Sequence, residues 1–273
     1  MKHGRFKRSS DSQTIQRYRC NSCKTTFSQA SFDPAYYQKK RHLNYKCAFL
    51  LSPMISMNRL SLVLNIHPIT VARKLEYMAD QARKKCHDTL SSFSTISDIQ
   101  FDELQTIEHT KCKPLSVIMA VSKKERKIIA FQVSKMPATG YLASIARKKY
   151  GPRKDERLKG MTHLFEQLQQ ILTPNIRIQS DECRFYKPVV NTYFPQAHYL
   201  QFKGKKSAVS GQGELKKGAH DPLFSINHTF AMCRGNINRL IRKTWCTTKK
   251  ISRLIDHLTI YMWVHNWKLT API

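Results

Sequence analysis

The segment Ile176–Tyr186 reads I-R-I-Q-S-D-E-C-R-F-Y. Ile176 and Ile178 alternate with Arg177 and Gln179, the period of two that marks a half-buried strand. Asp181 and Glu182 stand where the alternation stops, and a carboxylate at a strand end can face a site without being buried in the sheet. An earlier segment repeats the form. In D-I-Q-F-D-E, residues 98–103, Ile99 and Phe101 alternate with Gln100 and Asp102. A fold that carries both strands places two acids at strand positions where chemistry is possible.

The surrounding charge says what that chemistry acts on. Lys and Arg total 47 against 18 for Asp and Glu, a formal net charge of +29. Such an excess favours polyanions through phosphate neutralisation and counterion release. Two strand-borne acids in so basic a chain point to a divalent metal site working on phosphates. A ribosomal protein of this charge would carry longer charged tails and a smaller core, whereas 41% of these 273 residues are hydrophobic. That length suits one large domain, or a medium one with a smaller one in front. No apolar run reaches the roughly 20 residues of a membrane helix, and no signal-peptide pattern opens the chain. The eight cysteines are scattered except for one pair, which points to reduced thiols in a cytosol.

That pair is Cys20 and Cys23, in R-Y-R-C-N-S-C-K-T-T-F-S. A C-x-x-C knuckle offers two thiolates to zinc, but a structural site needs four ligands. Upstream there is only His3, so residues 1–28 read as the second half of a zinc ribbon. The other reading is two unmetallated thiols.

Residues 36–50 predict a basic helix that ends at Pro53. Ser56 then caps a short helix with Leu60, Val63 and Leu64 on one face. Asn65–His67 turns the chain, and Pro68 opens a second helix. There Val71, Leu75 and Met78 point inward while Thr70, Arg73 and Lys74 point outward. Two short helices on a tight turn, the second basic on its free face, form a helix-turn-helix signature over residues 36–85. Arg59, Thr70, Arg73 and Lys74 are its candidate DNA contacts; an ordinary helical hairpin is the alternative. Residues 81–97 lose the apolar rhythm, become rich in Ser and Thr, and are expected to separate two domains.

Strands open the second domain, residues 98–268. After 98–102 come Leu115–Val121 and Ile128–Ser134, joined by a charged turn at Ser122–Lys127. Leu158–Leu172 has helical spacing, the Asp181 strand follows, and Ala197–Phe202 is a fifth strand. Gly204–Gly218 is basic and Gly-rich; Lys205, Lys206, Lys216 and Lys217 make it a candidate DNA clamp, or a solvated loop. A long helix is expected from Ser225, with Ile226, Phe230, Cys233, Ile237, Leu240 and Ile241 on one face. Asn227, Arg234 and Asn238 share its flank. A last helix runs from about Lys249. The expected class is α+β overall: a half zinc ribbon and a helical region, then an α/β ribonuclease-H-like domain with a mixed sheet, in the order βββ-α-β-α-β-α.

In-line attack on a phosphodiester uses two divalent ions clamping the attacking and leaving oxygens, and hard oxygen ligands hold Mg²⁺. Ribonuclease-H-like enzymes supply two ligands from strands one and four, where Asp102 and Asp181 fall, and a third from a later helix. After Glu182 the acids are Glu214, Asp221 and Asp256. Glu214 lies in the Gly-rich loop, Asp221 precedes Pro222, and Asp256 lies deep in the last helix. None opens the Ser225 helix.

The chain from residue 5 to about 267 resembles small bacterial insertion-sequence transposases related to those of insertion sequence one. The resemblance rests on R-Y-R-C-N-S-C-K-T-T-F-S, the helix-turn-helix, F-D-E-L, S-D-E, I-N-H-T-F-A-M-C-R and R-L-I-R-K-T-W-C-T-T-K-K. In the main group a Glu opens the last-named helix of the site and a basic residue follows seven positions later. This chain has Asn227 and Arg234 there, and related transposases use Asn as the third residue. The resemblance implies an Asp-Asp-Asn DNA transposase. It binds terminal inverted repeats and uses Mg²⁺ or Mn²⁺ on Asp102, Asp181 and Asn227 for cleavage and strand transfer. Arg234 is expected to hold a DNA phosphate, a solvent-facing basic residue being the alternative. It further implies double-stranded DNA as partner (element ends and target), a homodimer or higher assembly on DNA, and a bacterial cytoplasm with no membrane. The alternative is a DNA-binding protein without catalysis, either a degenerate transposase or a repressor of its own element.

Overall fold

In this computed structural model, residues 1–9, 12–53, 55–91, 96–203, 221–241 and 245–270 are described. The candidate clamp, with Lys205, Lys206, Lys216 and Lys217, and the acid Glu214 lie outside them.

The chain opens with a three-stranded antiparallel sheet: β1 (Lys2–Lys7), β2 (Thr14–Arg19) and β3 (Thr26–Ser28), in that order. Tyr18 and Phe27 are register partners across it and their rings stack at 5.7 Å. Such a cross-strand aromatic pair stabilises a small sheet that has little core of its own.

The expected basic helix at 36–50 is shorter. Lys40 adopts φ +55, a left-handed conformation that interrupts helical winding, and a 3-10 turn at Arg41–Leu43 leads into α1 (Asn44–Leu51). The next turn follows the prediction. Ser56 Oγ accepts from the Arg59 amide at 3.3 Å at the start of α2 (Met57–Val63). Asn65 takes φ +47 in the turn, and Pro68 opens α3 (Pro68–Ser91). Val71, Leu75 and Met78 are buried. The helix does not stop where the apolar rhythm fades; it runs 24 residues. Its inner face packs with Cys47, Ala48, Leu51 and Leu60, and also with Ile260 and Val264 of the last helix, α8 (Ile251–Thr270). Burial against a partner distant in sequence outweighs weak local periodicity.

The second sheet is mixed. It contains β4 (Asp98–Glu108), β5 (Thr110–Ser122), β6 (Ile128–Lys135), β7 (Arg177–Asp181) and β8 (His198–Phe202), in the order β6-β5-β4-β7-β8. The first three form an antiparallel meander, while β7 pairs in parallel with β4 and β8 in parallel with β7. This is the arrangement the ribonuclease-H-like reading expects. The predicted turn between β5 and β6 forms, with the Ser122 amide donating to Lys127 O at 2.9 Å.

Helices cover both faces. On one side Phe101 meets Phe165 of α5 (Arg157–Gln169) at 5.2 Å and Tyr186 of α6 (Tyr186–Tyr193) at 4.8 Å. On the other lie α7 (Phe224–Asn236) and α8. Asn266 of α8 donates to Ile128 O at 2.7 Å and accepts from Ile128 N at 2.8 Å, satisfying backbone groups of the edge strand β6. A further basic helix, α4 (Leu142–Tyr150), sits between β6 and α5 and was not legible as a helix in the sequence.

The helix expected from Ser225 through Ile241 ends earlier. After Gly235 and Asn236 the backbone of Ile237 becomes extended, and Asn238–Leu240 forms a 3-10 turn. Gly235 weakens the helix there. Thr106 Oγ1 donates to Arg239 O at 2.9 Å, tying the turn to β4. Ile237 and Leu240 are buried all the same.

Candidate active site

The site grows from the pairing of β4 with β7. Gln100 is the register partner of Gln179, and Asp102 and Asp181 come two residues further along each strand. Alternation therefore puts all four side chains on one face. Gln100 and Gln179 are buried, joined by a 2.9 Å hydrogen bond from Gln100 Nε2 to Gln179 Oε1. The sequence pattern had put these glutamines on an exposed face. They are covered because α7 packs there.

Gln100 also seats that helix. Its Nε2 donates to Pro222 O at 2.7 Å and its Oε1 accepts from the Ile226 amide at 3.1 Å. One side chain thus fixes the first turn of α7 to the face that carries both aspartates. Asn227 is the next residue on that turn. Its Nδ2 donates to Asp221 Oδ2 at 2.8 Å, while Asp221 Oδ1 accepts from the Leu223 amide at 3.0 Å. Asp221 is a site residue that sequence reasoning set aside because a proline follows it. The usable signal was an Asp three residues before a helix start, where its carboxylate satisfies an orphan amide.

The two aspartates oppose each other electrostatically. Burial first, and then the Asp181 charge, push Asp102 up to about 7. Asp181 is raised as well, by burial first and then by the neighbouring Glu182. Asp102 Oδ1 accepts from the Glu103 amide at 2.7 Å and, at a long 3.5 Å, from the Tyr186 hydroxyl. Tyr186 is raised by burial and by these acids, so its phenol stays a donor. Asp181 Oδ1 is buried and has no hydrogen-bond partner among the described residues. A buried carboxylate oxygen in that state carries a desolvation cost that a cation would offset. This is the observation by which the site fits a hard divalent ion, with Asp102 and Asp181 as its holders. Among the described residues no three His, Cys, Asp or Glu side chains converge on such a point.

The neighbouring acids are engaged elsewhere. Glu103 accepts from Ser116 Oγ at 2.9 Å and lies 3.9 Å from Arg157. Asp256 is clamped by Arg83 and Arg253, each at 2.6 Å, between α3 and α8. Arg234 is half-buried and lines an open cleft of about 510 Å³ together with Glu103, Gln105 and Leu240. That cleft begins one residue beyond Asp102 on β4.

The candidate reading head divides. Arg59 and Arg73 are exposed and Thr70 is half-buried. Lys74, expected on the free face, is instead 3% exposed. Its Nζ donates to Lys40 O at 3.0 Å and to Asn44 Oδ1 at 2.5 Å, and burial lowers its pKa. Helical spacing put it beside Arg73, but the chain at Lys40–Asn44 folds over this position and supplies acceptors. Lys74 is a structural cation rather than a groove contact.

Cys20 and Cys23 sit on the turn between β2 and β3, where the Cys20 amide donates to Thr25 O at 2.9 Å. Hydrogen bonds from Thr25 first, and then from Cys20, bring the exposed Cys23 thiol down to about 7. Cys23 has thiolate character, yet no third ligand joins the pair among the described residues.

No helix among the described residues is long and apolar enough to cross a membrane. No family model and no curated protein matches the chain. A solved structure, the crystal structure of the catalytic domain of Mos1 mariner transposase, is similar over 70% of this chain and 87% of that chain. The identity is 12% and the TM-score 0.32.

Proposed function

We propose that the chain is a DNA transposase of the Asp-Asp-Asn type. Residues 98–268 carry out metal-dependent strand cleavage and transfer; residues 1–28 and 36–85 hold the element's terminal inverted repeats. The observation that carries this reading is the Asp102–Asp181 pair: two half-buried carboxylates at neighbouring strand positions, one pushed to about 7 and the other with an orphaned, buried oxygen. A protein that only bound DNA would have no use for such a pair, and its cost falls when a divalent ion is held between the acids. Mg²⁺ or Mn²⁺ would supply charge neutralisation and polarise the scissile phosphate. The chain's own part is to place the ligands, seat α7 through Gln100 and present a basic surface to the strand.

Asn227 is the third ligand in this reading, offering a neutral amide oxygen from the turn that Gln100 seats. Arg234, two turns further on, holds a phosphate in the cleft beyond Asp102. Arg59, Thr70 and Arg73 meet the element ends.

The test is cleavage and strand transfer on duplexes that carry the inverted repeats flanking the coding sequence, in Mg²⁺ or Mn²⁺. Asp181→Asn should abolish cutting and leave end binding intact, because base and phosphate contacts lie elsewhere. Cutting at the wild-type rate by that variant would overturn the assignment. One other reading, a binding protein without catalysis, fits the fact that among the described residues no third acid joins the pair. It predicts that the unaltered chain binds these ends and cuts none of them.

A further inference from the structure

Residues 136–156 join β6 to α5, a connection that the βββα order could make in a few residues. Instead the chain builds α4 and a turn in which Gly151 adopts φ +74. Together with the near ends of β5 and β6 this segment walls a cleft of about 400 Å³, lined by Lys113, Lys135, Arg147, Tyr150, Arg153 and Lys154.

Its charges are mostly uncompensated. Arg153 is paired with Glu108 at 2.9 Å. Among the described residues no ion pair engages Lys113, Lys135, Arg147 or Lys154, and Glu156 is the one acid in the lining. Lys135, Arg147 and Lys154 are exposed. The Lys113 ammonium lies 4.4 Å from the centroid of the Tyr150 ring and Lys149 lies 5.5 Å from it, which holds a partly exposed aromatic face among the cations. Cations that track a groove around an aromatic platform are what a nucleic-acid strand requires.

The position matters as much as the charge. This cleft and the one lined by Glu103 and Arg234 share Ala138 in their walls, so the two adjoin. Along β4, Asp102 and Glu108 are roughly 20 Å apart at the usual strand rise. We propose that the α4 cleft is a second nucleic-acid site, gripping the phosphodiester backbone of a DNA strand that has passed the Asp102–Asp181 pair. The proposal rests on the nucleic-acid reading of the chain and not on its catalysis. Lys113, Lys135, Arg147 and Lys154 contact phosphates, and Tyr150 stacks on a base where the strand is unpaired.

The full chain is titrated in EDTA with a single-stranded oligonucleotide and a duplex of equal length, over a series of salt concentrations. Arg147→Glu/Lys154→Glu is compared with Lys159→Glu/Lys187→Glu, an equal charge change at exposed positions on α5 and α6. The cleft variant should lose about tenfold in affinity, with a salt slope smaller by about 1.4 on the single strand for two lost phosphate contacts. The control should change less than about twofold. Loss with the single strand alone assigns the cleft to unpaired DNA, and loss with both assigns it to backbone in either form. Equal weakening by the two variants, or no weakening by either, overturns the proposal. Arg147→Gln/Lys154→Gln, a milder change, settles the case if the reversal fails to fold. Because the measurement is metal-free, it reads binding independently of cleavage. If Asp102→Asn still cuts, the active-site reading falls while this one stands.

Discussion

Asp221 Oδ2 accepts a hydrogen bond from Asn227 Nδ2 at 2.8 Å, across the first turn of α7. With the amide nitrogen facing Asp221, the amide oxygen is turned the other way. In the proposed site, the pair leaves the amide oxygen of Asn227 to serve a cation.

Breaking that orientation should therefore mimic loss of the ligand. Asn227→Ala is expected to abolish strand transfer, and Asp221→Ala to lower it on the order of tenfold to a hundredfold, the range for partners that orient metal ligands. Asp221→Asn, whose amide can present either an oxygen or a nitrogen to Asn227, should retain more activity than Asp221→Ala. Full activity of Asn227→Ala in single-turnover assays would remove Asn227 from the site.

The aspartate pair should make stability depend on pH in a defined direction. Asp102 has a folded pKa of about 7 against 3.8 for the free side chain. Between those values the folded chain keeps a proton that the unfolded chain has lost, so stability falls as pH rises through the window. The full penalty, on the order of a few kcal/mol at about 1.4 kcal/mol per unit, applies above the folded value. Asp102→Asn should raise the thermal midpoint at pH 8 and change it little at pH 4. Mn²⁺ should raise the midpoint of the unaltered chain at pH 8 and leave the variant unmoved. A midpoint independent of pH between 4 and 8 contradicts the raised Asp102.

Arg73 and Lys74 are neighbours with opposite expected effects. Arg73→Ala should leave the melting curve within about 0.5 kcal/mol, as exposed positions do, and cost roughly 1–3 kcal/mol of binding if it reads a guanine edge. Lys74→Ala should cost about 1–3 kcal/mol of stability, because Lys40 O and Asn44 Oδ1 lose their donor. Its base preferences on folded protein should stay unchanged. A normal melting curve for Lys74→Ala would mean that its two acceptors find water instead.

Thiol reactivity should sort the cysteines. At pH 7.5 Cys23, exposed and brought down to about 7, is expected to alkylate first. Cys86 and Cys233, buried and pushed up to about 12, should react only on unfolding. Peptide mapping after a timed iodoacetamide pulse reads this directly. Slower labelling of Cys20 and Cys23 in added Zn²⁺ would show that the pair takes metal, and unchanged rates would show that it does not.

What the sequence determined by itself is what lies in short-range pattern. Alternation identified β4 and β7, and it put Asp102 and Asp181 on them. A capping serine, a turn asparagine and a proline delimited α2 and α3. All of these depend on residues a few positions apart. What lay beyond it was decided by contacts between distant segments. Gln100 and Gln179 read as solvent-facing until α7 covered them. Lys74 read as free until Lys40 and Asn44 folded over it. α3 outlasted its own periodicity because Ile260 and Val264 complete its core. Asp221 became part of the site only through an amide six residues on. Burial and hydrogen-bond partnership belong to pairs of segments, and a single stretch of sequence states only one half of each pair.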